Sequence, residues 1–89
     1  MREVELRESA LGGPEELHAL LARELCFPAH YGGNLSALAD CLEELGAPIR
    51  IILEQDGSSR GDGSWFDRAR AVIERSGLLN PALEVVIHA

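Results

Sequence analysis

Residues 34–54, NLSALADCLEELGAPIRIILE, decide the architecture, because the apolar pattern changes period partway through them. Up to Leu45 the leucines recur at helical spacing. Placed at 100° per residue with Ser36 at zero, Leu35, Leu38, Cys41, Leu42 and Leu45 fall between roughly 140° and 260°, one continuous apolar stripe. Asn34 offers the side-chain acceptor that caps a helix start, and Gly46 the backbone freedom that ends one, so a helix is expected from about Leu35 to Leu45. Ile49 to Glu54 is then the most apolar short run of the chain, bounded by Pro48 and a glycine-rich segment. Such a run predicts a central strand buried on both faces, the pattern of a parallel sheet.

Outward from this stretch the elements alternate. Arg2 to Arg7 places Val4 and Leu6 on one side and Glu3, Glu5 and Arg7 on the other, a strand with one buried face. After the turn Leu11-Gly12-Gly13, Pro14 supplies the preset φ of a first helical position, and Glu15 and Glu16 suit the positive end of the helix dipole. Leu17, Leu20, Leu21 and Leu25 form the stripe of that helix, with His18 on its flank, and Phe27-Pro28 is expected to end it. Glu24 falls inside the stripe and has two readings: it holds backbone amides of the following loop, or it lies at the helix edge and stays wet.

His30-Tyr31-Gly32-Gly33 connects the two helices. On the far side, Gln55 to Gly63 is a loop, and Ser64-Trp65-Phe66-Asp67 resembles a capping box with aspartate in place of Glu or Gln. It opens a helix in which Phe66, Ala69 and Ile73 share a face; Gly77 and Asn80-Pro81 are expected to end it, and Leu83 to Ile87 closes the chain as a strand. Right-handed crossovers through a β-α-α-β-α-β order predict one α/β domain over residues 1–89, a three-stranded parallel sheet packed with three or four helices.

Composition narrows the function. With 15 acidic residues against 8 basic ones the net charge is −7, so nucleic-acid backbones and anionic membrane surfaces repel the chain and basic proteins attract it. The opening MREVELRESA has no apolar run of the secretory kind and no stretch approaches a membrane span, so a cytoplasmic location with Cys26 and Cys41 as free thiols is expected. No nucleophile–base pair, metal-ligand spacing or phosphate loop is visible, so neither enzymatic activity nor any cofactor or metal is expected. His18, His30 and His88 lack ligand spacing, and Cys41 lies on the apolar stripe as a core thiol. Arg60-Gly61-Asp62 is taken as a coincidental adhesion tripeptide, and Asp56 to Gly61 as a failed calcium loop with Arg60 at a ligand position.

The second helix has another face. Ser36, Asp40, Glu43 and Glu44 lie between roughly −20° and 80°, flanked by Ala37 and Ala39. Alanines beside carboxylates leave little bulk to hold a partner away, and Tyr31-Gly32-Gly33-Asn34 adjoins the helix start with the same low relief. An ordinary solvated helix face is the plain alternative. The candidate partner-binding residues are Tyr31, Gly32, Gly33, Asn34, Ser36, Ala39, Asp40 and Glu43.

Residues 16–42, ELHALLARELCFPAHYGGNLSALADCL, resemble the barstar family through Glu24-Leu25, Phe27-Pro28, Tyr31-Gly32, Asn34-Leu35, Ala37-Leu38 and Asp40-Cys41-Leu42. The resemblance implies a ribonuclease inhibitor that plugs the active site of a basic, secreted-type ribonuclease with the loop and second helix. Asp40 matches the principal inhibitory aspartate, and Tyr31, Gly32 and Asn34 match loop and helix-start contacts. A non-inhibitory module that keeps the fold and binds another basic protein is the alternative. Three positions depart from the family pattern: Ser36 stands where an acid is usual, Ala39 where tryptophan usually precedes the aspartate, and His30 where an aromatic is common; at the acidic contact expected in the third helix, the resemblance places either Glu74 or Arg75.

Overall fold

The computed structural model describes residues 2–57 and 65–88. Three parallel strands, β1 (Arg2–Arg7), β2 (Ile49–Glu54) and β3 (Leu83–His88), pair in the order β1-β2-β3, with Val4 opposite Ile51 and Ile51 opposite Val85. Between β1 and β2 run a short 3₁₀ turn (Glu8–Ala10), α1 (Pro14–Glu24) and α2 (Leu35–Glu43); α3 (Trp65–Leu79) joins β2 to β3. The predicted class and element order are those observed. Ser64 of the expected capping box, Arg60-Gly61-Asp62 and the loop from 58 to 64 lie outside the described residues.

The core sits between the helices and one face of the sheet. Leu6, Leu17, Leu21, Leu38, Leu42, Ile51, Leu53, Phe66 and Ile73 are fully buried there, so each amphipathic stripe meets the alternate residues of the strands. Double-sided burial of β2 is not what forms. Ile49, Ile51 and Leu53 are buried, whereas Arg50, Ile52 and Glu54 are only half-buried on the opposite face. The reason is topological: strands laid down in sequential order by right-handed crossovers place every helix on the same side.

The uncovered face is held by cross-strand charges instead. Arg50 bridges Glu3 (2.6 Å) and Glu84 (2.9 Å), which holds its guanidinium above the usual arginine value, and His88 Nδ1 lies 2.9 Å from Glu54.

Several ends differ from expectation. α1 stops before Phe27-Pro28: Cys26 takes the left-handed conformation (φ 56°) and Phe27 N–H returns to the Ala22 carbonyl (3.0 Å), a Schellman closure without its usual glycine. Glu24 is at the wet edge, paired with Arg2 and Arg23. The carboxylate that holds loop amides is Glu8, which accepts from Asp56 N–H (2.9 Å) and Gly57 N–H (2.7 Å) while only 3% exposed.

α2 ends at Glu43, short of Leu45, because Asn80 Nδ2 donates to the carbonyls of Leu42 and Leu45, both at 2.9 Å. Gly77 does not end α3, which runs through it to Leu79. A Cβ there would lie 2.8 Å from Val85 Cγ2, so the glycine serves close helix–strand packing.

Candidate functional site

α2 is held on both sides of its charged face. At its start Asn34, in extended backbone (φ −127°, ψ 169°), accepts from Ala37 N–H at 2.8 Å. At its end the Asn80 amide ties down the last carbonyls. Between these anchors Leu38 and Leu42 are buried against α3 and the sheet, while Leu35, Cys41 and Leu45 are half-buried. Cys41 is therefore a boundary thiol, not a core one; burial pushes its pKa up, with Glu44 and Asp40 adding to the shift.

Asp40, Glu43, Ser36 and the half-buried Ala39 line one groove together with Leu35 of α2 and Val72, Arg75 and Ser76 of α3. The groove encloses about 350 Å³ and is open to solvent along its length. Of the two third-helix candidates, Arg75 lines this groove with Asp40, whereas Glu74 lines a different cavity and pairs with Arg70 (3.2 Å). Among the described residues Asp40, Glu43 and Arg75 enter no ion pair. Beneath them the Ser76 hydroxyl is buried without a hydrogen-bond partner among the described residues.

Tyr31, Gly32 and Gly33 line a separate, neighbouring concavity with Glu15, His18, Ala19 and Ala22 of α1. Tyr31 is fixed from three directions. Its N–H bonds to the Pro28 carbonyl (2.9 Å), its ring packs on Phe27 (centroids 4.9 Å apart), and its hydroxyl meets His18 Nδ1 at 2.5 Å. Burial pushes the Tyr31 phenol up to about 12, so it stays protonated.

Burial also lowers His18, against an opposing pull from Glu15, which favours the neutral imidazole, whose Nδ1 can accept a hydrogen bond from the phenol O–H. His18 is thus buried (6% exposed), not on the helix flank, and it positions the loop tyrosine. The histidine carried no periodic signal of its own; its partner is thirteen residues away in the chain. Gly33 adopts φ +68° with open space around it, and a Cβ at Gly32 would press on Asn34 Nδ2 at 3.0 Å, so the loop stays low next to the cap. Asn34 is exposed but lines neither concavity; His30 is exposed beside the loop.

The electrostatics of α2 are inverted. α1 carries Glu15 and Glu16 in its first turn and Arg23 in its last, and α3 carries Asp67 in its first, as the helix dipole favours. α2 has no acid in its first turn and no base in its last, and its carboxylates, Asp40, Glu43 and the C-cap Glu44, crowd its negative end. Helix stability does not account for that placement. A cation brought to the face relieves both the dipole and the mutual repulsion.

Among the described residues no group of three or more His, Cys, Asp or Glu could hold a metal ion, and no helix is long and apolar enough to cross a membrane. Residues 1–77 match the family described as Barstar (barnase inhibitor). No curated protein matches the chain.

Proposed function

The chain belongs to the barstar family, and on that premise we propose that it is a ribonuclease inhibitor, a binding protein without chemistry of its own that carries Asp40 into the active site of a basic microbial ribonuclease. The observation that supports this most is the inverted charge of α2: unpaired carboxylates at the negative end of a helix anchored at both ends, over small side chains.

A ribonuclease active site gathers cationic side chains around the position of a phosphate. A carboxylate on a rigid helix occupies that position as a phosphate mimic and accepts charge-assisted hydrogen bonds from them. Asp40 stands in the groove with Glu43 one helical turn on, so a cation bound to one also feels the other. Ser36 and Ala39 leave room for the approach. Tyr31, locked by His18 and Phe27, supplies an aromatic contact whose rotamer entropy is already spent in the free protein, beside Gly32, Gly33 and Asn34. Inhibition of a secreted enzyme within its producing cell gives the cytoplasmic location its purpose.

The test is inhibition of a panel of purified basic microbial ribonucleases by the wild-type chain and by Asp40→Ala, at low and high salt. Stoichiometric inhibition that the variant loses, with association slowing as salt rises, supports the reading. Inhibition that survives Asp40→Ala refutes the assigned face.

Arg75 favours a second reading. A cation beside Asp40 weakens the attraction for a uniformly basic site and suits a basic protein with an acid at its margin, so a non-inhibitory module binding another basic protein is the alternative. A chain that inhibits no nuclease yet binds a basic protein through Asp40 would establish that alternative.

A further inference from the structure

We propose that the outer edge of β3 is a self-association surface, through which two copies of this chain join their sheets antiparallel into one six-stranded sheet about a twofold axis at Val86. Among the described residues β3 pairs only with β2. Ile49 N–H bonds to the Ala82 carbonyl (2.9 Å) and Gln55 N–H to the His88 carbonyl (2.7 Å), so the even-numbered residues of this strand turn their backbone groups toward β2. Alternation then turns the N–H and C=O groups of Val85 and Ile87 outward, away from the sheet. An apolar strand with such an edge is a template for another strand. The opposite edge is guarded: β1 carries a charge at every open-face position, Glu3, Glu5 and Arg7, where β3 has Val86 at its centre.

The sequence of β3 is complementary to its own reverse. With Val86 opposite Val86 of the second copy, Val85 faces Ile87 and Glu84 faces His88. Val85 and Ile87 are the residues with outward backbone groups, so their two symmetric pairings exchange four hydrogen bonds in the regular antiparallel pattern. Glu84 and His88 then meet at the closely spaced positions of the same ladder, twice. Because His88 already contacts Glu54 and Glu84 already contacts Arg50, acidic and basic side chains alternate across the seam, from Arg50 to Glu84 to His88 to Glu54.

The helix-covered side fits as well. Beside Val85 lies a mostly apolar cavity of about 310 Å³ lined by Glu74, Gly77, Leu78, Leu83 and Val85, where Ile87 of the second copy would enter. Leu78 of its lining is 88% exposed, the large apolar side chain most open to water among the described residues. This cavity shares no residue with the groove of Asp40, so a dimer leaves the proposed inhibitory face free.

Sedimentation velocity of the full chain between about 1 μM and 1 mM tests the proposal, together with amide hydrogen exchange. A monomer–dimer equilibrium is expected, with Val85 and Ile87 amides protected in step with dimer population. Val86→Lys sets like charges on the axis and should weaken association at least about tenfold. Glu84→Lys should do the same, and Glu84→Lys with His88→Glu should restore the dimer, a rescue that mere unfolding would not give. A chain that remains monomeric throughout the range, or a dimer indifferent to Val86→Lys with both amides exchanging freely, overturns the proposal.

Discussion

Replacing Asn80 by Ala should destabilise the fold far more than an ordinary loop substitution, because one amide closes two elements. Nδ2 donates to the Leu42 and Leu45 carbonyls at 2.9 Å each, and Oδ1 accepts from Ala82 N–H at 3.0 Å, at the entry to β3. The residue is 7% exposed, so water replaces these partners poorly. Each bond contributes about 1 kcal/mol net, and a buried carbonyl left without its donor adds to the loss, giving about 2–3 kcal/mol for Asn80→Ala. For a domain of this size that lowers Tm by roughly 10–20 °C.

Urea unfolding followed by circular dichroism measures the loss, and a midpoint that falls at unchanged slope identifies it as stability. Asn80→Asp separates donor chemistry from shape. An ionised carboxylate faces the Leu42 and Leu45 carbonyls with nothing to donate, so at neutral pH this variant should be at least as unstable as Asn80→Ala. Its pKa should be raised in the folded state, since the protonated form can still donate. Part of the loss should therefore return as pH falls toward the carboxyl range. A loss below about 0.5 kcal/mol for Asn80→Ala, or an Asn80→Asp variant as stable as wild type at pH 7, would refute the capping role.

Arg75→Glu turns the groove uniformly acidic; association with a basic ribonuclease that the wild type inhibits should accelerate severalfold at low salt, measured by stopped flow, and the gain should vanish at high salt. His18 is held neutral by burial, its folded pKa below the ordinary 6.5, so the unfolded chain binds the proton first as pH falls. Wild-type stability should therefore decline from pH 7 downward, and His18→Gln should show a shallower decline in parallel urea titrations. Gly77→Ala usually strengthens a helix interior by about 1 kcal/mol, yet here its Cβ meets the stiff Val85 side chain at 2.8 Å, so a net loss of about 1 kcal/mol is expected in the same assay.

The sequence by itself determined the elements and their order. Period 3.6 in Leu35 to Leu45, period 2 in Arg2 to Arg7 and the caps at Pro14 and Asn34 are local facts, fixed by residues within a turn of one another. The same arithmetic put Ser36, Asp40, Glu43 and Glu44 on one face with Ala37 and Ala39 at its flanks; the structure lines one groove with Ser36, Ala39, Asp40 and Glu43, and leaves Glu44 and Ala37 out of it. It could not determine what stands across that groove. Arg75, Val72 and Ser76 arrive from α3, and no local period distinguishes Arg75 from Glu74 beside it.

What only the tertiary structure decided is wherever a group finds its partner far along the chain. Glu8 holds Asp56 and Gly57, Asn80 closes α2, and His18 fixes Tyr31. The open sheet face belongs here too. The apolar run of β2 looked the same whether one layer of helices or two would cover it; sequential strand order combined with right-handed crossovers put every helix on one side. A periodicity states which residues lie together on an element. Which of those surfaces becomes covered depends on how the elements pack, and that is set by contacts no single segment contains.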